Sequence, residues 1–429
     1  MGTEITLEVD GLTIDWCKNS RGVDHGMLFQ EKDRKRIRSD QIDYDYFKEN
    51  DEDPGLMEMA FSRSLREVIP RIELLGFTIE QVQREYESRA NSWLEECRSM
   101  ADEVDDPASG LMTFNEFCLF VSEYPIEVID DTFISSLEEE SEAKLRGRFN
   151  DIALTHRLPY FRPYEAQAYS ERSYFAELIG FLHPYSILQL LAQNDCNLKL
   201  DVVWQYGPLV EAGWASESEF VHGARRMHTF LVATEGSSDA HILKHALSIL
   251  RPDISDFFRF IDVSERHPFP GTGNLVKFAE GLVKIDVQNK IVFVFDNDAE
   301  GSYAYQQMLR LNMPPNMRAM MLPGLDEFCT FRTRGPEGLS TADINGRAAA
   351  IECYLDLELD GYPPANVVWT NYKKDLDVYH GSLEHKESYT KAFLKQTSET
   401  VSTGGYCVEK LRIVLESLFE ECCAVAIDA

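Results

Sequence analysis

Two groups of acidic residues in the second half of the chain are spaced so that they could bind metal ions together. Glu235 and Asp239 follow one short apolar run, and Asp296 and Asp298 follow another about sixty residues later. Four converging carboxylates repel one another unless protons or cations neutralise them, and ligand sets made only of oxygen favour Mg²⁺ or Mn²⁺. One or two such ions could activate a water and stabilise the leaving oxygen in phosphodiester cleavage.

The apolar runs before these acids have the composition of buried β-strands. Short apolar strands that alternate with helical segments are typical of a parallel sheet covered on both faces. We predict strands at 229–234, 290–295 and 317–322. Ligands bind outside the carboxyl ends of the strands in open α/β sheets, so both acidic groups should face one crevice. The alternative is that each acid only caps a helix; two such groups at the ends of two strands favour the metal site.

The first half of the chain has a different pattern. Alternating apolar residues at 5–9 and 12–16 predict two short strands. From about 55 to 225 the pattern is largely helical, with Met57, Phe61, Leu65 and Val68 on one helical face. Two capping boxes, Thr78-x-x-Gln81 and Thr113-x-x-Glu116, predict helix starts. This half is therefore predicted to be a helical domain with a small β-element in front of it.

A basic run stands out near the N-terminus of this acidic chain. It predicts either a small phosphate-contacting patch or a solvated segment paired with neighbouring acids. The residues proposed for nucleic-acid contact are Lys32, Arg34, Lys35, Arg36 and Arg38.

The overall composition limits the class of protein. The formal charge is −31, which argues against a chain that simply coats nucleic acid, because phosphate binding needs clustered Lys and Arg. Nine scattered cysteines without a C-x-x-C pair suggest neither a disulfide framework nor a zinc ribbon. We expect a cytoplasmic protein that does not enter the membrane, and any nucleic-acid chemistry must be local and cation-assisted.

The acidic segments resemble the motifs of the TOPRIM family. Thr-Glu-Gly-Ser-Ser-Asp, which contains Glu235 and Asp239, and Phe-Asp-Asn-Asp-Ala-Glu-Gly, which contains Asp296 and Asp298, are similar to its Glu motif and its D-x-D motif. The extra acid four positions after the Glu resembles nucleases of the overcoming-lysogenization-defect and Gabija type. The resemblance covers roughly residues 228–390 and implies a metal-dependent nuclease with a Rossmann-like, mainly parallel sheet.

The same resemblance implies further site residues. Related nucleases take additional acids from the segment after Asp343, where Glu352 or Asp356 could complete a second metal site; we favour Glu352. They also have an essential lysine about where Lys386 lies, and a lysine there could stabilise the charge of the transition state. Ordinary solvated acids on a helix that opens near Asp343 are the alternative for the two acids.

The N-terminal half is similar to bacterial proteins called HEPN/TOPRIM-associated, which are often suspected of antiphage defence. The residues that support this are Asp15-Trp16-Cys17-Lys18-Asn19 and Asp24-His25, and the similarity covers about the first 220 residues. The helical half lacks an Arg followed four to six residues later by His, so we expect no HEPN ribonuclease activity. There is also no G-x-x-x-x-G-K-[ST] loop, so a separate ATPase would have to supply any nucleotide hydrolysis.

Together these features predict an α/β TOPRIM domain at 226–390, preceded by a small β-element at 1–54 and a helical, HEPN-like domain at 55–225, and followed by C-terminal helices at 391–429. The predicted function is a Mg²⁺- or Mn²⁺-dependent nuclease that cuts DNA or a tRNA-like RNA in antiphage defence. It would form a homo-oligomer and work with a defence-system partner. The alternative is a non-catalytic assembly subunit whose acids bind structural Mg²⁺.

Overall fold

The computed structural model describes residues 2–39, 42–100, 110–135, 141–160, 168–261, 271–374 and 377–428 of the 429-residue chain. The chain divides into two compact units, Met1–Ala224 and Arg225–Ala429. The predicted combination of a helical region with an α/β region that contains a parallel sheet is confirmed at this level. The finer division into four segments stays a prediction. No helix among the described residues is both long and apolar enough to span a membrane.

The N-terminal unit contains a five-stranded antiparallel sheet with the order β2-β1-β5-β4-β3. Its strands are β1 (Glu4–Val9), β2 (Leu12–Lys18), β3 (Arg34–Arg36), β4 (Met59–Ser64) and β5 (Asp201–Gln205). Ile5, Leu7 and Val9 are buried, as their alternation predicts. Strand β5 pairs with both β1 and β4, so the two ends of this unit meet in one sheet.

Nine described α-helices complete the N-terminal unit: α1 (Tyr44–Asn50), α2 (Leu65–Leu74), α3 (Ile79–Met100), α4 (Phe114–Ser122), α5 (Ser141–Arg146), α6 (Ile152–Thr155), α7 (Glu171–Ile179), α8 (Pro184–Leu191) and α9 (Gly207–Glu211). Their apolar faces and the sheet share one hydrophobic core that is rich in aromatic rings. Phe120, Phe149 and Phe175 pack together in this core, where the rings of Phe149 and Phe175 stack with centroids 5.0 Å apart.

The helical face predicted for Met57, Phe61, Leu65 and Val68 is wrong. Residues 59–64 form β4, and the helix begins only at Leu65. Pairing with β3 on one side and β5 on the other holds this segment extended. Phe61 stacks on Phe29 with ring centroids 5.5 Å apart. These partners are distant in sequence, and their packing overrides the local helical spacing.

The two predicted capping boxes differ in outcome. The Thr113 hydroxyl accepts from the Glu116 amide at 3.3 Å and the Glu116 carboxylate accepts from the Thr113 amide at 2.8 Å, so this box is confirmed. Helix α3 does begin directly after Thr78, but the Thr78 hydroxyl is buried and makes no hydrogen bond. The box predicted at Thr78 is therefore wrong, because its side chain points into the protein instead of capping the helix.

A four-stranded parallel sheet with the order β10-β8-β6-β7 forms the centre of the C-terminal unit. Its strands are β6 (Phe230–Thr234), β7 (Phe258–Phe260), β8 (Lys290–Phe295) and β10 (Met317–Met321). The three predicted strands are thus confirmed to within one residue at each end. Every residue from Ile291 to Phe295 is buried, which requires cover on both faces of the sheet.

Helices α10 (Ser237–Leu250), α11 (Thr272–Lys284), α12 (Ala299–Met308) and α15 (Glu409–Asp428) contact the parallel sheet, and α13 (Lys386–Phe393) and α14 (Ser398–Ser402) lie between α12 and α15 in the chain. A second sheet, with the order β12-β11-β14-β15, contains β11 (Phe331–Gly335), β12 (Gly338–Ala342), β14 (Val367–Lys373) and β15 (Val378–Leu383). A short ladder pairs β9 (Asn297–Asp298) with β13 (Ala348–Ala349).

The helix predicted to open near Asp343 is wrong. This segment forms a turn, then β13, then a single 3₁₀ turn at Ile351–Tyr354. Pairing with β9 keeps Ala348 and Ala349 extended, because β9 lies directly after the central strand β8. The consequence is that Glu352 is delivered to the end of the parallel sheet.

Candidate metal centre

The two acidic groups meet at one edge of the parallel sheet. Strands β6 and β8 are neighbours and run in the same direction, so Glu235 and Asp296 follow strand ends that lie side by side. The Glu235 Oε1 atom accepts a hydrogen bond from the Asp296 amide at 3.1 Å. The crevice expected at the carboxyl ends of the strands therefore contains both groups.

Asp239 lies in the first turn of α10 and faces back towards the end of β6. Its Oδ2 atom accepts from the Gly236 amide at 2.8 Å, and its Oδ1 atom accepts from the Ser238 hydroxyl at 3.0 Å. The side chain is buried, with only 8% of the residue exposed. Asp239 therefore caps α10 and also brings a fixed negative charge to the site.

Asp298 is the N-cap residue of α12. Its Oδ1 atom accepts from the amides of Glu300 and Gly301 at 2.9 Å and 2.8 Å. Gly301 is required here because a Cβ atom at this position would collide with the carbonyl oxygen of Asp296. The glycine in this motif thus allows α12 to start immediately beside the D-x-D loop.

The middle residue of the D-x-D motif holds a distant segment against the site. The Asn297 Oδ1 atom accepts from the Gly346 amide at 2.7 Å, and its Nδ2 atom donates to Asn345 Oδ1 at 3.1 Å. Asp296 Oδ1 accepts from the Ile351 amide at 2.9 Å. These bonds fix residues 345–351 and place the next residue, Glu352, beside the other acids, where it is 96% buried.

The clustered acids raise one another's pKa. Burial, and then the negative charges of Asp239 and Glu235, raise the pKa of Asp296 well above its ordinary value. Burial and the charge of Asp298 raise the pKa of Glu235, and burial and the charge of Glu352 raise the pKa of Asp239. Burial also raises the pKa of Asp298. Such a site favours whatever neutralises it, either protons or cations.

The remaining oxygens of these acids suit a cation. In Glu235, Asp296 and Asp298, one carboxylate oxygen accepts backbone hydrogen bonds, while the second accepts none from the described residues. Hard oxygen donors of this kind fit Mg²⁺ or Mn²⁺. Over the described ranges, however, no three His, Cys, Asp or Glu side chains already lie in a ligating arrangement. The acids are thus gathered and oriented by the backbone, and an ion would have to draw their free oxygens together.

The structure distinguishes between the two acids proposed to complete the site. Glu352 raises the pKa of both Asp239 and Asp296, so its charge lies close to them. Asp356 instead accepts from the Cys407 amide at 3.0 Å, and its own amide donates to the Tyr406 hydroxyl oxygen at 3.2 Å. Of the pair, Glu352 is the residue that the fold brings to the other acids.

Three basic side chains come from separate segments around the acids. Lys386 is the exposed first residue of α13, and its charge acts to lower the pKa of Asp239. His380 lies on β15 with Nδ1 3.8 Å from Asp298 Oδ2, and this buried nitrogen has no hydrogen-bond partner among the described residues. Arg347 is exposed, and its backbone forms a β-bridge with Asp298.

Sequence reasoning predicted Lys386 but missed His380 and Arg347. Neither is near an acidic motif in sequence, and only the pairing of β9 with the segment before β13, together with the bond from the Gly381 amide to the Arg347 carbonyl, brings them to the site. The glycine-rich turn before α11 also reaches the site, since the Gly271 amide donates to the Glu235 carbonyl at 3.1 Å.

The basic run belongs to the N-terminal unit, where all three of its arginines have protein partners. Arg34 lies over the Phe61 ring at 4.6 Å and donates to the Phe220 carbonyl, and Arg36 pairs with Asp53 and Glu58. Arg38 lies over the ring of Tyr44. Lys32 and Lys35 are exposed. The arginines therefore pack and pair within the fold, as the alternative to a phosphate patch predicts.

Comparison with known proteins identifies the family of the chain. The family model described as HEPN/Toprim N-terminal domain 1 matches residues 1–228, which is more than half of the chain, and the protein belongs to this family. The predicted similarity to HEPN/TOPRIM-associated proteins is thereby confirmed. No curated protein and no solved structure matches the chain.

Proposed function

We propose that the protein is a metal-dependent nuclease whose C-terminal unit is a TOPRIM domain of the overcoming-lysogenization-defect and Gabija type. The observation that supports this most is the convergence of Glu235, Asp296 and Asp298 at adjoining ends of parallel strands, with Asp239 and Glu352 beside them. The name of the matched family, which links HEPN with Toprim, points to the same nuclease-associated class.

In this proposal the five acids would hold one or two Mg²⁺ or Mn²⁺ ions. Bound there, the ions would activate a water molecule and neutralise charge on the phosphodiester. The chain's own contribution is orientation: backbone amides fix one oxygen of Glu235, Asp296 and Asp298, and leave the other free. Lys386 and Arg347 would contact the phosphate as charge builds up on its oxygens.

The substrate would be DNA or RNA in the bacterial cytoplasm, and the biological role would be an effector in antiphage defence. The strongly acidic chain makes self-association or a separate partner such as an ATPase part of the proposal. The rival is an assembly subunit whose acids bind Mg²⁺ only structurally.

Cleavage assays on three substrates test the proposal. The purified full chain is incubated with plasmid, single-stranded DNA and tRNA in Mg²⁺, in Mn²⁺ and in chelator, with and without the product of a neighbouring ATPase gene. We expect metal-dependent cleavage of at least one substrate, and a loss of about 100-fold to 1000-fold in Asp296→Asn, the order of loss seen when one essential electrostatic group is removed.

Glu416→Gln is the matched control, because Glu416 is an exposed acid on α15 away from the cluster. It should cleave like the unaltered chain. Metal-dependent binding without cleavage of any substrate under any of these conditions would overturn the nuclease proposal and favour the assembly subunit. Equal activity in Asp296→Asn would show that cleavage comes from a contaminant or another site.

A further inference from the structure

Strands β14 and β15 form a two-stranded ribbon that presents three aromatic rings, which we call the aromatic ribbon. Tyr372 is 48% exposed and Tyr379 is 58% exposed, and Trp369 is half-buried beside them. The rings of Tyr372 and Tyr379 have centroids 5.2 Å apart, and those of Trp369 and Tyr379 are 6.5 Å apart. The three rings therefore form one continuous surface.

The strand register places these rings on one face. Tyr372 pairs directly with Tyr379, and Trp369 pairs with Gly381. A Cβ atom on Gly381 would lie 2.9 Å from Trp369 Cε3, and one on Gly335 would lie 3.5 Å from Trp369 Cδ1. The indole thus lies across two strands that have no side chain beneath it, which fixes a flat ring on the surface of the sheet.

Cross-strand packing explains why the rings touch, but not why they are exposed. Aromatic pairs stabilise neighbouring strands, and a tryptophan over glycine shields the backbone. Exposed aromatic rings on the face of a sheet, however, favour aggregation. The outer edge of β15 is itself covered at Gly381, whose amide donates to the Arg347 carbonyl. The planes of Tyr372 and Tyr379 are inclined by 61° and those of Trp369 and Tyr379 by 55°, so each exposed ring offers its own face to a flat, partly apolar ligand.

The ribbon is directly continuous with the proposed catalytic site. His380, the residue after Tyr379, points to the opposite face of β15, where its Nδ1 atom is 3.8 Å from Asp298 Oδ2. A chain that crosses the edge of β15 would pass from the Tyr379 ring to the carboxylates over one residue of the strand. Arg347, whose carbonyl accepts from the Gly381 amide, lies along this path.

The local charge is less negative than that of the chain as a whole. Residues 331–342 and 367–384 contain four Lys or Arg and four Asp or Glu residues, and Arg334 forms an ion pair with Glu384, so their net charge is zero. The whole chain has 42 basic and 73 acidic residues. A nucleic-acid strand would therefore meet less repulsion along this sheet than over the average surface of the protein.

We propose that the aromatic ribbon stacks unpaired bases, so that the substrate of this nuclease is single-stranded nucleic acid or the unpaired part of a folded one. The inference rests on the proposed function and specifies its substrate class. Stacking accepts every base and requires the base to be outside a duplex, because paired bases present their faces to each other and not to the protein.

Binding of labelled oligonucleotides to the full chain with the Asp296→Asn substitution tests this inference without cleavage. Fluorescence anisotropy would measure Kd for a single-stranded DNA, the RNA of the same sequence, and the corresponding DNA duplex. We expect tighter binding of the single strands, and a loss of about fivefold to 150-fold in Tyr379→Ala for single strands only, from a stacking energy of about 1–3 kcal/mol per base. Tyr379→Phe, which keeps the ring, should bind like the parent.

Tyr46→Ala is the matched control, since Tyr46 is a similarly exposed tyrosine, at 53%, in the N-terminal unit. The ribbon inference would be overturned by equal losses for single strands and duplex, by no loss in Tyr379→Ala, or by the same loss in Tyr46→Ala. Metal-dependent cleavage by the unaltered chain would in that case still support the nuclease proposal. No cleavage by the unaltered chain would overturn the nuclease proposal, and single-strand binding that still depends on the Tyr379 ring would then show that the ribbon inference holds alone.

Discussion

Buried acids have opposite electrostatic surroundings in the two units. In the N-terminal unit, Glu171 accepts hydrogen bonds from the Arg148 side chain and amide at 2.9 Å and 2.6 Å, and from the Asp130 amide at 2.9 Å. Burial acts to raise the pKa of Glu171, but these bonds and the Arg148 charge leave it below its ordinary value. In the C-terminal unit, Asp296 is surrounded by like charges and its pKa is raised.

This difference distinguishes acids whose charge is paired within the fold from acids whose charges repel one another. A buried charge with a partner of opposite sign is satisfied within the fold, whereas a group of like charges destabilises it unless something external binds there. The buried His25 also has a partner within the fold, since its Nε2 atom lies 2.9 Å from Asp15 Oδ2. Ionisable groups with strongly displaced pKa values tend to mark functional sites, and this tendency supports the proposal of a nuclease site in the C-terminal unit.

The largest effect on stability should come from breaking the paired arrangement. Arg148→Ala leaves Glu171 buried without its cation, so we expect the free energy of unfolding to fall by about 2–3 kcal/mol. This expected loss of stability is smaller than the loss for a fully buried ion pair, because the Arg148 side chain is 30% exposed. Urea denaturation measures it. Arg66→Ala, at an exposed arginine of α2, is the control, and an equal loss in both variants would mean that Glu171 does not depend on Arg148.

Removing a charge from the C-terminal acidic cluster should instead increase the free energy of unfolding. In chelator, Asp296→Asn removes one of the repelling charges, so we expect the free energy of unfolding at pH 7.5 to rise by about 1–2 kcal/mol, given that a tenfold change in an acid's dissociation constant corresponds to about 1.4 kcal/mol. Glu416→Gln should leave it unchanged. Destabilisation by Asp296→Asn in chelator would contradict the account of the cluster.

This effect should depend on pH in a defined direction. A carboxyl group whose pKa is raised by folding binds its proton more tightly in the folded state, so its stabilising contribution is present below the unfolded value and is lost as the pH rises through the folded value. For Asp239 that interval runs from 3.8 to about 6. The advantage of Asp296→Asn over the unaltered chain should therefore be absent near pH 3.5 and grow as the pH rises. A constant difference across this range would exclude repulsion as its cause.

The smallest effect tests whether basic residues around the acids contact phosphate. In the Asp296→Asn chain, Arg347→Ala should weaken nucleic-acid binding by about twofold to fivefold, the loss of one solvent-exposed ion pair. The slope of log Kd against log salt concentration should also fall by about 0.7–0.9, the release of one counterion. Arg310→Ala, at an exposed arginine just after α12, should change neither. An unchanged slope in Arg347→Ala would remove this residue from the interface.

The sequence was sufficient for the features that local pattern determines. The apolar runs before Glu235 and Asp296 predict β6 and β8, because a parallel strand that is buried on both faces has apolar residues at consecutive positions. Chain direction then places both acids at one edge of the sheet. Glu352 was predicted from family resemblance, and the fold brings it to the same site through the bonds of Asn297 and Asp296.

Features that depend on distant partners were not predictable in the same way. Phe61 was assigned to a helix because its extended conformation is imposed by β3 and β5, which lie far from it in sequence. The segment after Asp343 is extended because it pairs with β9, and no pattern within its own sequence indicates this pairing. It was therefore assigned to a helix. His380 and Arg347 reach the site through the same long-range pairing, and only the alternation of the run around His380 could have suggested a strand there.

The central claim is that the C-terminal acids form one divalent-cation site, and Mn²⁺ binding followed by electron paramagnetic resonance tests it most directly. At about 0.15 M salt, which screens weak binding to the acidic surface, the account predicts that the unaltered chain and Glu416→Gln bind one or two Mn²⁺ ions saturably and that Asp296→Asn loses this binding. Equal Mn²⁺ binding in Asp296→Asn, or no saturable binding in the unaltered chain, would contradict it.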